Sequence, residues 1–386
     1  MSNVTTLNTD SAPSATVTAT YARLLPLCVS GLQAAANRQT GLFDLQIRGG
    51  KAAQPTLATE NVTSTLICLI GLDRAGIAAE DLGLPSERAL AAAFDSLLRQ
   101  QAHGATGLAI WANAVLDGVA VHELFQRIDL SLDDGAEFAE RLTTMEVAWL
   151  ASGLLHEMER GYSHRLACIT RSVVTALCSR FGERACLVSH SGATGPLQDR
   201  LRRRLPNFAD QIYTVQALAL AAIVLQDERA LLLSERIAGR LIELQGRLGQ
   251  WWWHYDASTG QVAEGYPVYS VHQHAMAPMA LMTLRAAGGS DHAAAIARSH
   301  SWLERNELDL DVVDPQTPAI WRDIERSEPP VVSLGSKMLE LAGHRRDSEA
   351  PAAALRLNRE IRPYEWGWCL YAGSLAEGKD RGRHIV

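Results

Sequence analysis

The sequence predicts an all-α protein built as an (α/α)6 toroid, on three observations. Helical periodicity dominates the chain, with apolar residues three and four apart in segments such as RALAAAFDSLLRQQAH (88–103) and ERALLLSERIAGRLIELQ (228–245). Alternating β-type runs are nearly absent. Six strongly apolar helices alternate with amphipathic ones, as two concentric rings require.

In chain order the apolar helices are NVTSTLICLIGLDRAG from 61, GLAIWANAVLDG from 107, MEVAWLASGLLHEME from 145, ADQIYTVQALALAAIVL from 209, HQHAMAPMALMTLRAAG from 272 and YEWGWCLYAGSLAEG from 364. Each opens with polar or aromatic residues and then turns apolar nearly all round. That is the profile of a helix buried on most faces with one end at a functional surface. The amphipathic partners are 88–103, 134–142, 165–181, 228–245, 292–305 and a weaker stretch around 336–344. A parallel inner ring brings all six inner N-termini to one end of the barrel. Inner helices start 38 to 92 residues apart, so this is shared architecture rather than a tight repeat. An irregular α-bundle or solenoid is the plainer alternative.

The first twenty residues, rich in Ser, Thr and Ala, are expected to form a mobile tail (1–20), leaving 21–386 as one barrel domain. They lack the basic and apolar regions of a signal peptide. Apolar runs are expected to fall short of the roughly 18 residues of a membrane span. The six cysteines (Cys28, Cys68, Cys168, Cys178, Cys186, Cys369) sit in apolar contexts without a CxxC pair, which points to buried free thiols in a reducing compartment and a cytoplasmic protein. With 47% hydrophobic residues the chain can bury a large core, and a net charge of −7 argues against nucleic-acid binding through counterion release. The one dense basic run, RLRRRL (200–205), reads as a solvated face.

Gly- and Pro-bearing interruptions at 49–60, 189–198, 256–268 and 314–330 mark loops, and the last two are long enough to suggest function. Aromatic residues make up only 6% of the chain, yet GQWWWHYDASTGQVAEGYPVYSVHQHAM concentrates them just before the fifth inner helix. The segment reads as an outer-helix end, an extended run, a turn at Ser258–Gly260 and a Pro267-fixed approach to the inner helix. In an extended run Trp251 and Trp253 face one way and Trp252 the other. Flat aromatic faces suit sugar rings or cations, whereas the plainer account is that the tryptophans cap the core.

WWWHYDASTG followed by YPVYSVHQHAMAPMALMTL is similar in arrangement to six-hairpin, glycosidase-like toroids, including uronyl epimerases. ADQIYTVQAL (209–218) resembles the corresponding inner helix of N-acylglucosamine epimerase-like barrels. The resemblance spans about 205–285 and implies a carbohydrate-active enzyme. Gln245–Trp251 also resembles the QxxxGxW turns of squalene-cyclase and prenyltransferase barrels. The acidic stretch DLDVVD (309–314) departs from the DxDD acid of those cyclases, and DDxxD-type signatures are missing.

Acids at inner-helix N-termini are the natural proton-transfer candidates, since the helix dipole favours carboxylate while burial opposes it. These are Glu60, Glu146, Asp210 and Glu365, with Asp256 and Glu264 added from the loop over the mouth. Asp210 ranks first because Gln211 and Tyr213 follow it on the same apolar helix. His254, oriented by Asp256, and His272 are further acid–base candidates. For each acid the plainer role is helix capping, and for each histidine a satisfied core position.

Glycoside hydrolysis needs two carboxylates at a defined separation, and the sequence leaves open which two face each other. Substrate contacts are expected from Trp251, Trp252, Trp253, Tyr213, Gln211, Tyr266, Tyr269, Gln273, His274, Tyr364 and Trp366. Arg322 and Arg362 offer planar forks for a carboxylate or phosphate. His272 and His274 are about 200° apart on a helix and suit no shared metal, so neither metal nor cofactor is expected. SHSGATG (189–195) lacks both a phosphate-loop Lys and a GxSxG elbow. The leading expectation is a glycosidase, lyase or epimerase acting on a small-molecule or oligosaccharide substrate, ahead of an isoprenoid cyclase or a non-catalytic binding protein. Oligomeric state is left open.

Overall fold

The computed structural model describes residues 11–44, 47–48, 51–52, 58–131, 135–327 and 349–378. The inner helices are α2 (Ala58–Ala75), α4 (Thr106–Val115), α7 (Thr144–Arg160), α10 (Phe208–Leu225), α12 (Ala277–Ala286, preceded by a π-helical turn His272–Met276) and α14 (Pro363–Ala376). Each packs on the next, and α14 closes the ring against α2. Glycines let the axes approach: a Cβ at Gly71 would collide with the Gly367 carbonyl oxygen across the α2–α14 seam. The inner helices start within three residues of the positions the sequence indicated.

Outside this ring lie α3 (Ser86–Gln100), α6 (Gly135–Glu140), α8 (His164–Cys178), α11 (Glu228–Glu243) and α13 (Ala293–Trp302), with the short α5 (Val121–Arg127) and α9 (Leu197–Leu201) in connections. The sixth outer place belongs to α1 (Ser11–Ala35), which packs on α13 and α14. This corrects the expected tail, because residues 11–20 are helical. Val17, Tyr21, Leu24, Cys28 and Leu32 recur at three- and four-residue spacing, and all are buried. Ser- and Thr-rich composition masked that stripe. The stretch 336–344 lies outside the described residues.

Two further expectations are corrected. Helix α10 has the 18-residue length and the mean hydropathy, 1.6, of a membrane span, but 83% of it is buried inside the protein. Its apolar surface is used by the barrel core. Cys28, Cys68, Cys178 and Cys369 are buried, whereas Cys168 is exposed and Cys186 half-buried.

Long loops fold into small sheets at the N-terminal end of the inner ring. His254–Asp256 pairs antiparallel with Gln261–Glu264. Asp323–Arg326 lies between Leu355–Asn358 and Val268–Tyr269 in a three-stranded sheet, which brings Arg322 beside the fifth and sixth inner helices.

Candidate active site

The N-terminal ends of all six inner helices line one cleft of about 830 Å³. Thr63 and Ser64 come from α2, Gly104 and Ala105 from just before α4, and Glu146 and Trp149 from α7. Asn207 caps α10 and Tyr213 lies on it, His272 comes from the π turn, and Arg362 caps α14 with Tyr364 in its first turn. Connecting loops add His103, Asp199, Trp253, Tyr269 and Arg322.

Among the described residues, the carboxylates lining this cleft are Glu146 and Asp199. Glu146, the third residue of α7, closes a capping box with Thr143, and its Oε2 accepts hydrogen bonds of 2.8 Å from both the backbone nitrogen and the hydroxyl of Thr143. Its other oxygen lies under Gly104, where a Cβ would collide with it. Glycine there lets the chain pass directly over the carboxylate.

Asp210, ranked first from sequence, is placed differently. It is fully buried, closes a capping box with Asn207, and has both oxygens occupied. Oδ1 accepts from the Met145 backbone nitrogen at 3.0 Å. Oδ2 accepts from the Asn207 nitrogen at 3.0 Å and meets His190 Nδ1 at 2.8 Å. Asp210 therefore joins two inner-helix starts and orients a histidine, and it does not face the cleft. Burial opposes charge on His190, but the hydrogen bond and charge of Asp210 outweigh it and raise its pKa above the ordinary value. With Nδ1 turned to Asp210, Nε2 faces Asp199 at 4.0 Å. Sequence reasoning missed His190; its signal was a histidine in a Gly-rich loop that fitted no phosphate or nucleophile motif.

The loop acids are also structural. Asp256 accepts from the Ser258 nitrogen and hydroxyl and builds the hairpin turn. Glu264 is buried, accepts from the Tyr266 nitrogen and lies 3.4 Å from Arg326. His254 is buried on its strand, 3.5 Å from Arg202. None of the three lines the cleft. The Glu60 side chain lies outside the described residues.

Of the expected substrate contacts, Trp253, Tyr213, Tyr269 and Tyr364 line the cleft, joined by His272. Trp251 and Trp253 both pack on the Phe208–His272 side and Trp252 packs the other way against Tyr266, as an extended run imposes, and of the three Trp253 reaches the cleft. Trp251 is buried against Phe208, and Trp252 donates its indole N–H to the Leu244 carbonyl. Gln211 is sealed behind α10, clamping the Val188 backbone with both ends of its amide. Gln273 accepts from the Trp251 nitrogen and donates to the Tyr269 carbonyl. Tyr266 donates to Glu307, and Trp366 is buried against Gly31. His274 is buried too, its carbonyl accepting from the Tyr21 hydroxyl. Trp251, Trp252, Gln211, Gln273, Tyr266, Trp366 and His274 do not line the cleft and are corrected to structural roles.

His272 packs between Phe208, Tyr269 and Trp253, with ring centroids 4.5, 5.1 and 6.1 Å away. Burial, then Arg322 and His274, push its pKa down to about 3, so it is neutral at ordinary pH.

The cationic wall is formed by Arg322 and Arg362. Behind Arg322 lie Glu365, 3.7 Å away, and Asp323, 3.4 Å away; both are almost fully buried. Burial raises the Glu365 pKa to about 8 and that of Asp323 to about 7, with Arg322 opposing in each case. Glu365 thus lies beneath the cleft wall rather than at its surface.

The acids of DLDVVD serve the outer loop: Asp311 pairs with Arg23, and Asp314 accepts from the Gln316 nitrogen. Among the described residues no group of three or more His, Cys, Asp and Glu side chains is placed to hold a metal ion.

No known family's sequence profile matches the chain, and no curated protein matches it. Solved structures do. An unsaturated glucuronyl hydrolase specific for heparin aligns over 95% of this chain and 98% of its own, at 10% identity and a TM-score of 0.59. An unsaturated glucuronyl hydrolase from Bacillus sp. GL1 aligns over 94% and 97%, at 13% identity and a TM-score of 0.56. A sugar epimerase from a ruminal bacterium aligns over 94% and 99%, at 10% identity and a TM-score of 0.59. The chain folds as an (α/α)6 toroid, the fold of these structural neighbours, which are glucuronyl hydrolases and a sugar epimerase.

Proposed function

We propose that this protein is a carbohydrate-active enzyme that moves protons on an acidic saccharide bound in the cleft, as a hydrolase, lyase or epimerase. One observation carries the reading: two carboxylates, Glu146 and Asp199, share an aromatic-walled cleft with the arginine pair Arg322 and Arg362. Planar guanidinium groups match a sugar carboxylate, and Trp253 and Tyr269 offer flat faces to the ring. Glu146 and Asp199 supply proton transfer, with His190 and Asp210 fixing the surroundings of Asp199. The glucuronyl hydrolases and the epimerase that share the fold act on sugars, which supports this substrate class. Several charged groups facing inward disfavour an isoprenoid pocket, which needs apolar walls beneath a single acid. No cofactor is required, and a cytoplasmic location belongs to the same proposal.

The test is to offer unsaturated and saturated uronyl disaccharides and follow two signals. Loss of ultraviolet absorbance reports on the ring double bond, and NMR reports on ring stereochemistry. Turnover of an acidic saccharide, lost in Glu146→Gln and Asp199→Asn while both variants stay folded, is the expected result. Turnover restricted to neutral saccharides, or undiminished turnover in both variants, would overturn the reading.

A further inference from the structure

Five charged side chains converge where the sixth inner helix meets the three-stranded sheet. Arg322 Nη1 lies 3.3 Å from Glu360 and 3.7 Å from Glu365, and its Nε lies 3.4 Å from Asp323. Arg362 pairs with Glu360. Among the described residues, neither oxygen of Glu365 has a hydrogen-bond donor, and of the Asp323 oxygens Oδ2 alone has one, from Asn358. A buried carboxylate without donors is costly when charged. The facing groups are Tyr269 from the strand before α12, Glu325 from the central strand, and Tyr364 and Arg362 from the start of α14.

With all five ionised, two arginines face three carboxylates, and the wall repels an anion. With Glu365 and Asp323 protonated, the two arginines face Glu360 alone, and the wall attracts one. We propose that this wall is a proton-linked anion site: a sugar carboxylate or sulfate binds Arg322 and Arg362 while Glu365 and Asp323 carry protons, and leaves as they ionise. The inference rests on the acidic-substrate reading above and adds a pH dependence that reading does not require. Anion binding draws the arginines away from both acids and favours their protonated forms, so binding takes up protons. Burial already sets those two acids to ionise near pH 8 and 7.

The probe is glucuronate, titrated calorimetrically between pH 6 and pH 9 in two buffers of different ionisation enthalpy. We expect proton uptake on binding and a Kd that is level at pH 6, then weakens by up to about tenfold per pH unit for each proton linked. Glu365→Gln, fixed neutral, moves the loss of affinity and leaves only the Asp323 step, and Asp323→Asn leaves only the Glu365 step. Arg322→Ala removes binding at every pH. A Kd independent of pH without proton uptake, or a wild-type profile in both neutral variants, overturns the proton link. If uronyl turnover persists alongside that result, the functional reading stands and only this inference falls. If glucuronate binds at no pH and uronyl disaccharides are not turned over, the functional reading falls with it.

Discussion

Helices α7 and α10 are neighbours in the inner ring and begin the same way, with a capping box closed by an acid at the third helical residue. At α7 the box is Thr143 with Glu146, and at α10 it is Asn207 with Asp210. Glu146 lines the cleft, whereas Asp210 is fully buried. The difference comes from what crosses each helix end. Gly104 passes over Glu146 without a side chain to cover it, while His190 and the Met145 backbone close over Asp210. The same local sequence signal therefore yields a cleft-lining acid at one helix and a buried, structural one at the next.

Glu146→Gln removes proton transfer while retaining a hydrogen-bond acceptor for Thr143; turnover of a uronyl disaccharide should fall by about 10²–10⁴-fold, with Tm nearly unchanged by thermal melt. Asp210→Ala strands the Met145 and Asn207 nitrogens and the His190 ring, and should cost on the order of 3–5 kcal/mol in urea unfolding. Equal and small stability losses in the two variants would remove the distinction.

The capping boxes also show how far the sequence could be read. Inner-helix starts were legible because a nearly continuous apolar run opened by polar residues fits a helix buried on most faces and little else. The residues at those starts and in the loops over them were legible as a group, including Arg322, Arg362, Tyr213, Tyr269, Tyr364, His272 and Trp253, which line the cleft. Which acid faced inward was not, since Asp210 and Glu146 differ only through segments 20 to 65 residues away in sequence. Asp199 and His190 were missed for the same reason: a short helix and a Gly-rich loop carry no periodicity that points inward. Helix α1 escaped notice because its buried stripe is diluted by Ser and Thr.

Two smaller effects follow. Trp253→Ala opens the cleft wall beside His272 and should raise KM about tenfold, at the upper end of the roughly 0.5–1.5 kcal/mol of an aromatic stacking contact, with little change in kcat. His190 has a raised pKa in the folded state, so its pairing with Asp210 stabilises the fold fully below the unfolded histidine value of 6.5 and is lost as pH rises through the raised value. Wild-type stability should therefore decline over that interval, and Asp210→Asn should flatten this part of the profile in denaturant titrations at stepped pH.

The most direct measurement is the position of a uronyl disaccharide soaked into crystals of the Glu146→Gln protein. The expected density places its carboxylate on Arg322 and Arg362, its ring against Trp253, and its reacting bond between residues 146 and 199. Density at the opposite end of the barrel, or a sugar carboxylate turned away from both arginines, would contradict the assignment of this cleft as the site of chemistry.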